Sequence, residues 1–110
     1  MIDDTITKIQ QRLQQASNLS PEKRRELEEL VAQLQTEISG LRKVDPDRAQ
    51  SIAGFAEASA REATRTDPEP ELARNAIHEL ESSVTGFEAA HPKLTAIVNR
   101  IASTLSNLGI

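Results

Sequence analysis

The sequence predicts an all-α protein, a helical bundle of four to five helices assembled from antiparallel hairpins with coiled-coil-like seams. Three observations predict it. Apolar residues recur in alternating steps of four and three along four separate stretches, which places one narrow apolar seam on each of four helices. Prolines near residues 20, 45, 68 and 91 divide the chain into segments one helix long. The apolar volume comes from Leu, Ile, Val and many Ala; Phe55 and Phe87 are the only aromatic residues, a content of 2%. That mixture suits helix-on-helix packing better than sheets, which favour β-branched and aromatic side chains.

The first seam is Ile2, Ile6, Ile9, Leu13 and Ala16, within a helix expected over 3–17. Ser20-Pro21-Glu22 then reads as a helix start, with a hydroxyl cap, a proline in the first turn and an acid at the positive end of the dipole. The helix expected over 21–43 carries Leu27, Val31, Leu34, Ile38 and Leu41, with Leu30 widening the stripe. Asp45-Pro46-Asp47 repeats the start signal and opens a segment over 47–65. Its inward face would be Ala49, Ile52, Ala53, Ala56, Ala60 and Ala63, with Phe55 beside it. Alanine propagates helices well but buries little. This segment is therefore expected either to pack very close to a neighbour or to be loosely docked, and it is the expected place for mobility.

Thr66-Asp67-Pro68-Glu69-Pro70-Glu71 is the third start signal, opening a helix over 69–89 with Ala73, Ile77, Leu80, Val84 and Phe87. The last helix, over 92–108, carries Leu94, Val98, Ile101, Leu105 and Leu108, with Ile97 beside them. The count from Phe87 to His91 to Leu94 keeps register across Pro92, so a kinked continuous helix and a true break are both open there. At Ser20 the cap signal favours a true turn. Gly54 and Gly86 are expected inside helices, and Gly40 and Gly109 near helix ends. Gly109 would be the left-handed residue closing the last helix in a Schellman motif, with Ile110 folded back onto Leu105. The chain reads as one domain over 1–110: a hairpin over 1–44, the Ala-rich helix over 45–67 and the C-terminal helices over 68–110.

Composition removes several function classes. The net charge is −4 with both signs interleaved, so there is no basic stripe for nucleic acid, and the lack of aromatics removes base-stacking platforms. No apolar run approaches the roughly 20 residues of a membrane span, so no integral membrane association is expected. The polar face of the last helix carries only Lys93 and Arg100 as charges, too few for a membrane-surface helix. The start, MIDDTITKIQ, does not read as a signal peptide. With no cysteine there is no disulfide framework, and the expected compartment is the cytoplasm, although a cysteine-free chain suits a periplasm equally.

No residue is assigned to catalysis, to a cofactor or to a metal. His78 and His91 are thirteen residues apart and form no ligand pair of the i, i+4 kind. His78 reads as a surface residue and His91 as a cap whose ring nitrogen accepts an N–H from the helix that Pro92 opens. The carboxylates read as solvated faces, with Glu57 and Arg61 an i, i+4 ion pair.

The closing block GFEAAHPKLTAIVNRIASTLSNLGI resembles a small bacterial family of helical proteins, domain of unknown function 4404, in its F-E-x-x-H-P-x-L segment and its L-x-N-x-G-I ending. The matching positions are Phe87, Glu88, His91, Pro92, Leu94, Leu105, Asn107, Gly109 and Ile110. The stretch from Ser20 to Leu41 resembles the family's second helix, whereas the Ala-rich middle is not covered. The resemblance implies a soluble bacterial helical protein and brings no activity with it.

The leading functional expectation is a non-enzymatic structural or adaptor module. It would self-associate as a dimer, or dock another helical protein, through the 27–41 seam or through Leu94, Ile101 and Leu105. The second is a small regulatory binding protein with a pocket at Phe87 and His91. An enzyme is the third.

Overall fold

The computed structural model describes residues 2–108, with side chains from Asp4 onward. It contains five helices: α1 (Ile2–Gln15), α2 (Pro21–Arg42), α3 (Pro46–Ala63), α4 (Pro70–Ser83) and α5 (Pro92–Ser106). Among the described residues there is no strand. The expected Schellman ending at Gly109 and Ile110, and the Ile2 side chain, lie outside the described residues and side chains.

Two helices begin as their sequences dictate. The Ser20 hydroxyl accepts from the Lys23 amide at 3.1 Å, and an Asp45 carboxylate oxygen accepts from the Arg48 amide at 3.1 Å. Each satisfies an amide that the first helical turn leaves open. The chain therefore turns at Ser20 rather than kinking. The third start falls at Pro70, one residue from the expected 69, but without the cap that Thr66-Asp67 suggests. Pro70 holds the first helical position, and Glu69 precedes it in extended conformation with no side-chain cap. A residue before proline is pushed out of the helical region, so the helix cannot start earlier.

The Ala-rich helix is not loosely docked; it is the centre of the molecule. α3 touches all four other helices, and α1–α2, α2–α5 and α5–α4 touch in turn, so those four form an open ring around it. Ala49, Ile52, Ala53, Ala56, Ala60 and Ala63 are all buried. A methyl group lets a neighbouring helix axis approach to the short end of the usual 8–10 Å range, which suits a helix packed on several sides. Ser59, fully buried, adds a polar tie: its hydroxyl lies 2.8 Å from the Phe55 carbonyl in its own helix and 2.9 Å from the Ala76 carbonyl on α4.

This arrangement corrects the reading of the α2 seam as an open interface. Leu27, Val31, Leu34, Ile38 and Leu41 are buried inside a single chain, with Leu34 and Ile38 at 0% exposure. Leu94, Ile101 and Leu105 of α5 join the same core. Burying one such side chain contributes about 1.5–3 kcal/mol. The radius of gyration, 12.9 Å, matches the roughly 13 Å of a compact domain of this length. The scarcity of large side chains does not force a second chain, because the alanines of α3 bring the helices close enough to cover one another.

A second correction concerns residues 84–91, which break the chain between α4 and α5. The helix expected to reach residue 89 stops at Ser83. Gly86, expected inside a helix, takes φ of +86°, a left-handed conformation open to glycine at little cost. Turn hydrogen bonds follow, from the Phe87 amide to the Val84 carbonyl at 3.0 Å and from the His91 amide to the Phe87 carbonyl at 2.7 Å. Pro92 then occupies the first position of α5. His91 precedes that helix but makes no side-chain capping bond, so the capping role assigned to its ring is not the one it has.

Candidate functional site

With the seams turned inward, a cleft of about 370 Å³ opens between α2 and α5. On α5 its lining is Lys93, Ala96, Ile97 and Arg100; on α2 it is Gln33, Thr36 and Glu37. The spacing explains both sets. Positions 93, 96, 97 and 100 fall at i, i+3, i+4 and i+7, one face of a helix, as do 33, 36 and 37. That face lies beside the core seam of each helix. Ile97 is half-buried and packs on the core, while Lys93, Ala96 and Arg100 are exposed.

The two helices run antiparallel. The Thr104 hydroxyl near the end of α5 donates to Glu26 Oε1 near the start of α2 at 3.3 Å, whereas Lys93 shares the cleft with Glu37. Among the described residues, Lys93, Arg100 and Glu37 form no ion pair. The cleft thus offers a short apolar strip at Ala96 and Ile97 between two cations, opposite one carboxylate. A shallow groove of this chemistry can receive a side chain from another helix. It has no buried polar group that would orient a reacting atom.

The predicted residues at the C-terminal block come together in a different way. Phe87 and His91 are half-buried, their ring centroids 5.3 Å apart at an interplanar angle of 40°. The Arg48 guanidinium stands over the Phe87 ring, 4.9 Å from its centre. This is a cation–π stack that pins the 84–91 connection to the start of α3. Leu94 continues from it into the core, and Pro92 is exposed. The cleft residues lie off the 3–4 seams, so the seam periodicity does not mark them. The signal was present: Ile97 stands off the seam, flanked by the two cations of α5.

His78 is exposed on α4 and distant in sequence from every cleft residue. The family model for Domain of unknown function (DUF4404) matches residues 31–110. The chain belongs to the DUF4404 family. The match corrects the extent of the resemblance: it includes the Ala-rich α3 and begins within α2, leaving α1 outside. Both walls of the cleft lie in the segment matched to DUF4404, as does the Arg48–Phe87–His91 stack. Neither the curated proteins nor the solved structures yield a match. No helix among the described residues is long and apolar enough to cross a membrane.

Proposed function

We propose that this chain is a non-catalytic adaptor that docks an amphipathic helix of another protein in the α2–α5 cleft. The observation that carries this reading is the strip of Ala96 and Ile97 set between Lys93 and Arg100, neither of which is ion-paired among the described residues. A partner helix would lay an apolar side chain on Ile97 and turn Asp or Glu toward the two cations. The cytoplasm is the proposed compartment. The Phe87–His91 region is the second reading, and it ranks lower because Arg48 already covers the Phe87 ring.

The test is site-specific photo-cross-linking from residue 96, with residue 51 on the exposed face of α3 as control. The expected result is cross-linking from 96 into a helical segment of another protein, abolished by Ile97→Glu while helical content is unchanged. Equal cross-linking from both positions would overturn the proposal. Cross-links into a second copy of this chain would make the cleft a self-association surface instead.

A further inference from the structure

A different part of the molecule concentrates positive charge. Where the ends of α1 and α3 lie side by side, a cavity of about 230 Å³ is lined by Arg12, Gln15, Arg61, Thr64, Arg65 and Thr66, together with Ala16. Five charges alternate there. Arg12 lies 3.6 Å from Glu57, Arg61 donates to Glu57 at 2.9 Å and to Glu62 at 3.3 Å, and Arg65 donates to Glu62 at 3.1 Å. Three cations face two carboxylates, an excess of one positive charge in a chain whose net charge is −4.

The layering of those charges decides what the cluster presents. The Glu57 and Glu62 side chains are each 12% exposed, whereas those of Arg12, Arg61 and Arg65 are 39%, 44% and 52% exposed. The carboxylates lie underneath and hold the guanidinium groups in place, and the three arginines line the cavity. The hydrogen bonds to glutamate use Nε and Nη1 of Arg61 and Nη1 of Arg65. They leave the Nη2 groups of both residues outside those bonds. Arg12 Nε is buried without a hydrogen-bond partner. Guanidinium groups fixed in this way match the oxygen spacing of a phosphoryl group.

The helix ends that open here would by themselves repel an anion, since carbonyl oxygens point outward at a helix C-terminus. That repulsion is blunted. Arg24 donates to the Ala16 carbonyl at 2.9 Å, and the Asn18 amide donates to the Ala63 carbonyl at 3.0 Å. A second cavity of about 170 Å³ adjoins the first through Arg12 and Gln15 and adds Lys8. The basic lining therefore continues from Arg65 across Arg61 and Arg12 to Lys8.

From this layered cluster we infer a binding site for a small soluble phosphate compound carrying two phosphoryl groups, one between Arg61 and Arg65 and one toward Arg12 and Lys8. The site is independent of the α2–α5 cleft. Calorimetric titration of the full chain with pyrophosphate, orthophosphate and chloride at matched ionic strength tests it. The expected result is saturable binding of pyrophosphate, weaker binding of orthophosphate and none of chloride. Arg65→Gln is expected to weaken pyrophosphate about tenfold, and Arg74→Gln on the exposed face of α4 to leave it unchanged. Chemical-shift mapping on the unaltered chain, which needs no variant to fold, should put the largest changes at Arg12, Arg61 and Arg65. No saturable heat, equal loss in Arg74→Gln, or shifts centred elsewhere would overturn the assignment. Co-sedimentation with phosphatidic acid vesicles without pyrophosphate binding would put the phosphoryl group on a lipid and overturn the soluble ligand.

Discussion

Arg24 closes the end of α1 by donating from Nη1 to the Leu13 carbonyl at 2.8 Å. The same guanidinium reaches the carbonyls of Gln14 at 2.8 Å, Ala16 at 2.9 Å and Leu19 at 3.4 Å. These acceptors belong to the last turn of α1 and the loop behind it, a segment without a glycine to close it. One side chain of α2 thus does the work that a capping motif does elsewhere.

Removing that group should be costly. Hydrogen bonds to a charged group contribute about 1.5–3 kcal/mol when their partner is lost, and Arg24 is only half-buried, so Arg24→Ala is expected to cost on the order of 2 kcal/mol. Arg24→Lys should recover less than half, because an ammonium cannot span four carbonyls. The chain has no Trp or Tyr, so denaturation is followed by far-UV circular dichroism. Unchanged stability in Arg24→Ala would show that α1 does not depend on this contact.

The glycines should respond in opposite senses. A Cβ at Gly40 or Gly54 meets nothing within 4 Å, and both lie inside helices, where glycine is about 0.5–1 kcal/mol worse than alanine. Gly40→Ala and Gly54→Ala should each raise the melting temperature. Gly86 has the same open surroundings but a φ of +86°, and Gly86→Ala should lower it, by about 1–2 kcal/mol of backbone strain. A stabilised Gly86→Ala would mean that the 84–91 connection has another conformation.

His91 should act through its ring and not through a cap. Its contact with Phe87 is of a kind that contributes about 0.5–1.5 kcal/mol. His91→Ala is expected to lose that amount, His91→Tyr to retain most of it, and His91→Asn, a good capping residue, to lose as much as alanine. Thermal melts of the three variants check the order. Rescue by asparagine would restore the capping role.

Glu62 links stability to acid. Burial raises its pKa, but hydrogen bonds and charge from Arg65 and Arg61 outweigh this and lower it below the ordinary carboxylate value. A depressed folded-state pKa contributes stability that is present above the unfolded carboxyl pKa and is lost as pH falls through the folded one. The melting temperature of the native chain should therefore fall on acidification more steeply than that of Glu62→Gln, and the two should run parallel near neutral pH. Identical acid limbs would show that Glu62 is unlinked to folding.

The helices were legible because their seams are periodic and their starts are chemical. Ala49, Ile52, Ala53, Ala56, Ala60 and Ala63 were correctly placed on one inward face, yet nothing in that face says how many neighbours it meets. Centrality is a property of the other four helices. Gly86 was misplaced for a related reason: apolar register runs through it from Val84 to Phe87, and only the backbone angle shows the break. Arg24 reads as one charge in a mixed run, because its partners are carbonyls, which every residue has. The cleft was half legible, since Ile97 stands off its seam, but Gln33 and Thr36 become walls only when α5 lies alongside.

The position of α3 bears on how the chain can leave the ribosome. Its alanines are enclosed by helices that come both before and after it in the sequence, so a nascent chain ending near residue 67 has made α1, α2 and α3 but has nothing to cover the side that α4 and α5 will occupy. No early fragment encloses that hub. Enclosure of the α3 alanines awaits synthesis of α4 and α5, so the five helices are expected to gain their resistance to proteolysis together.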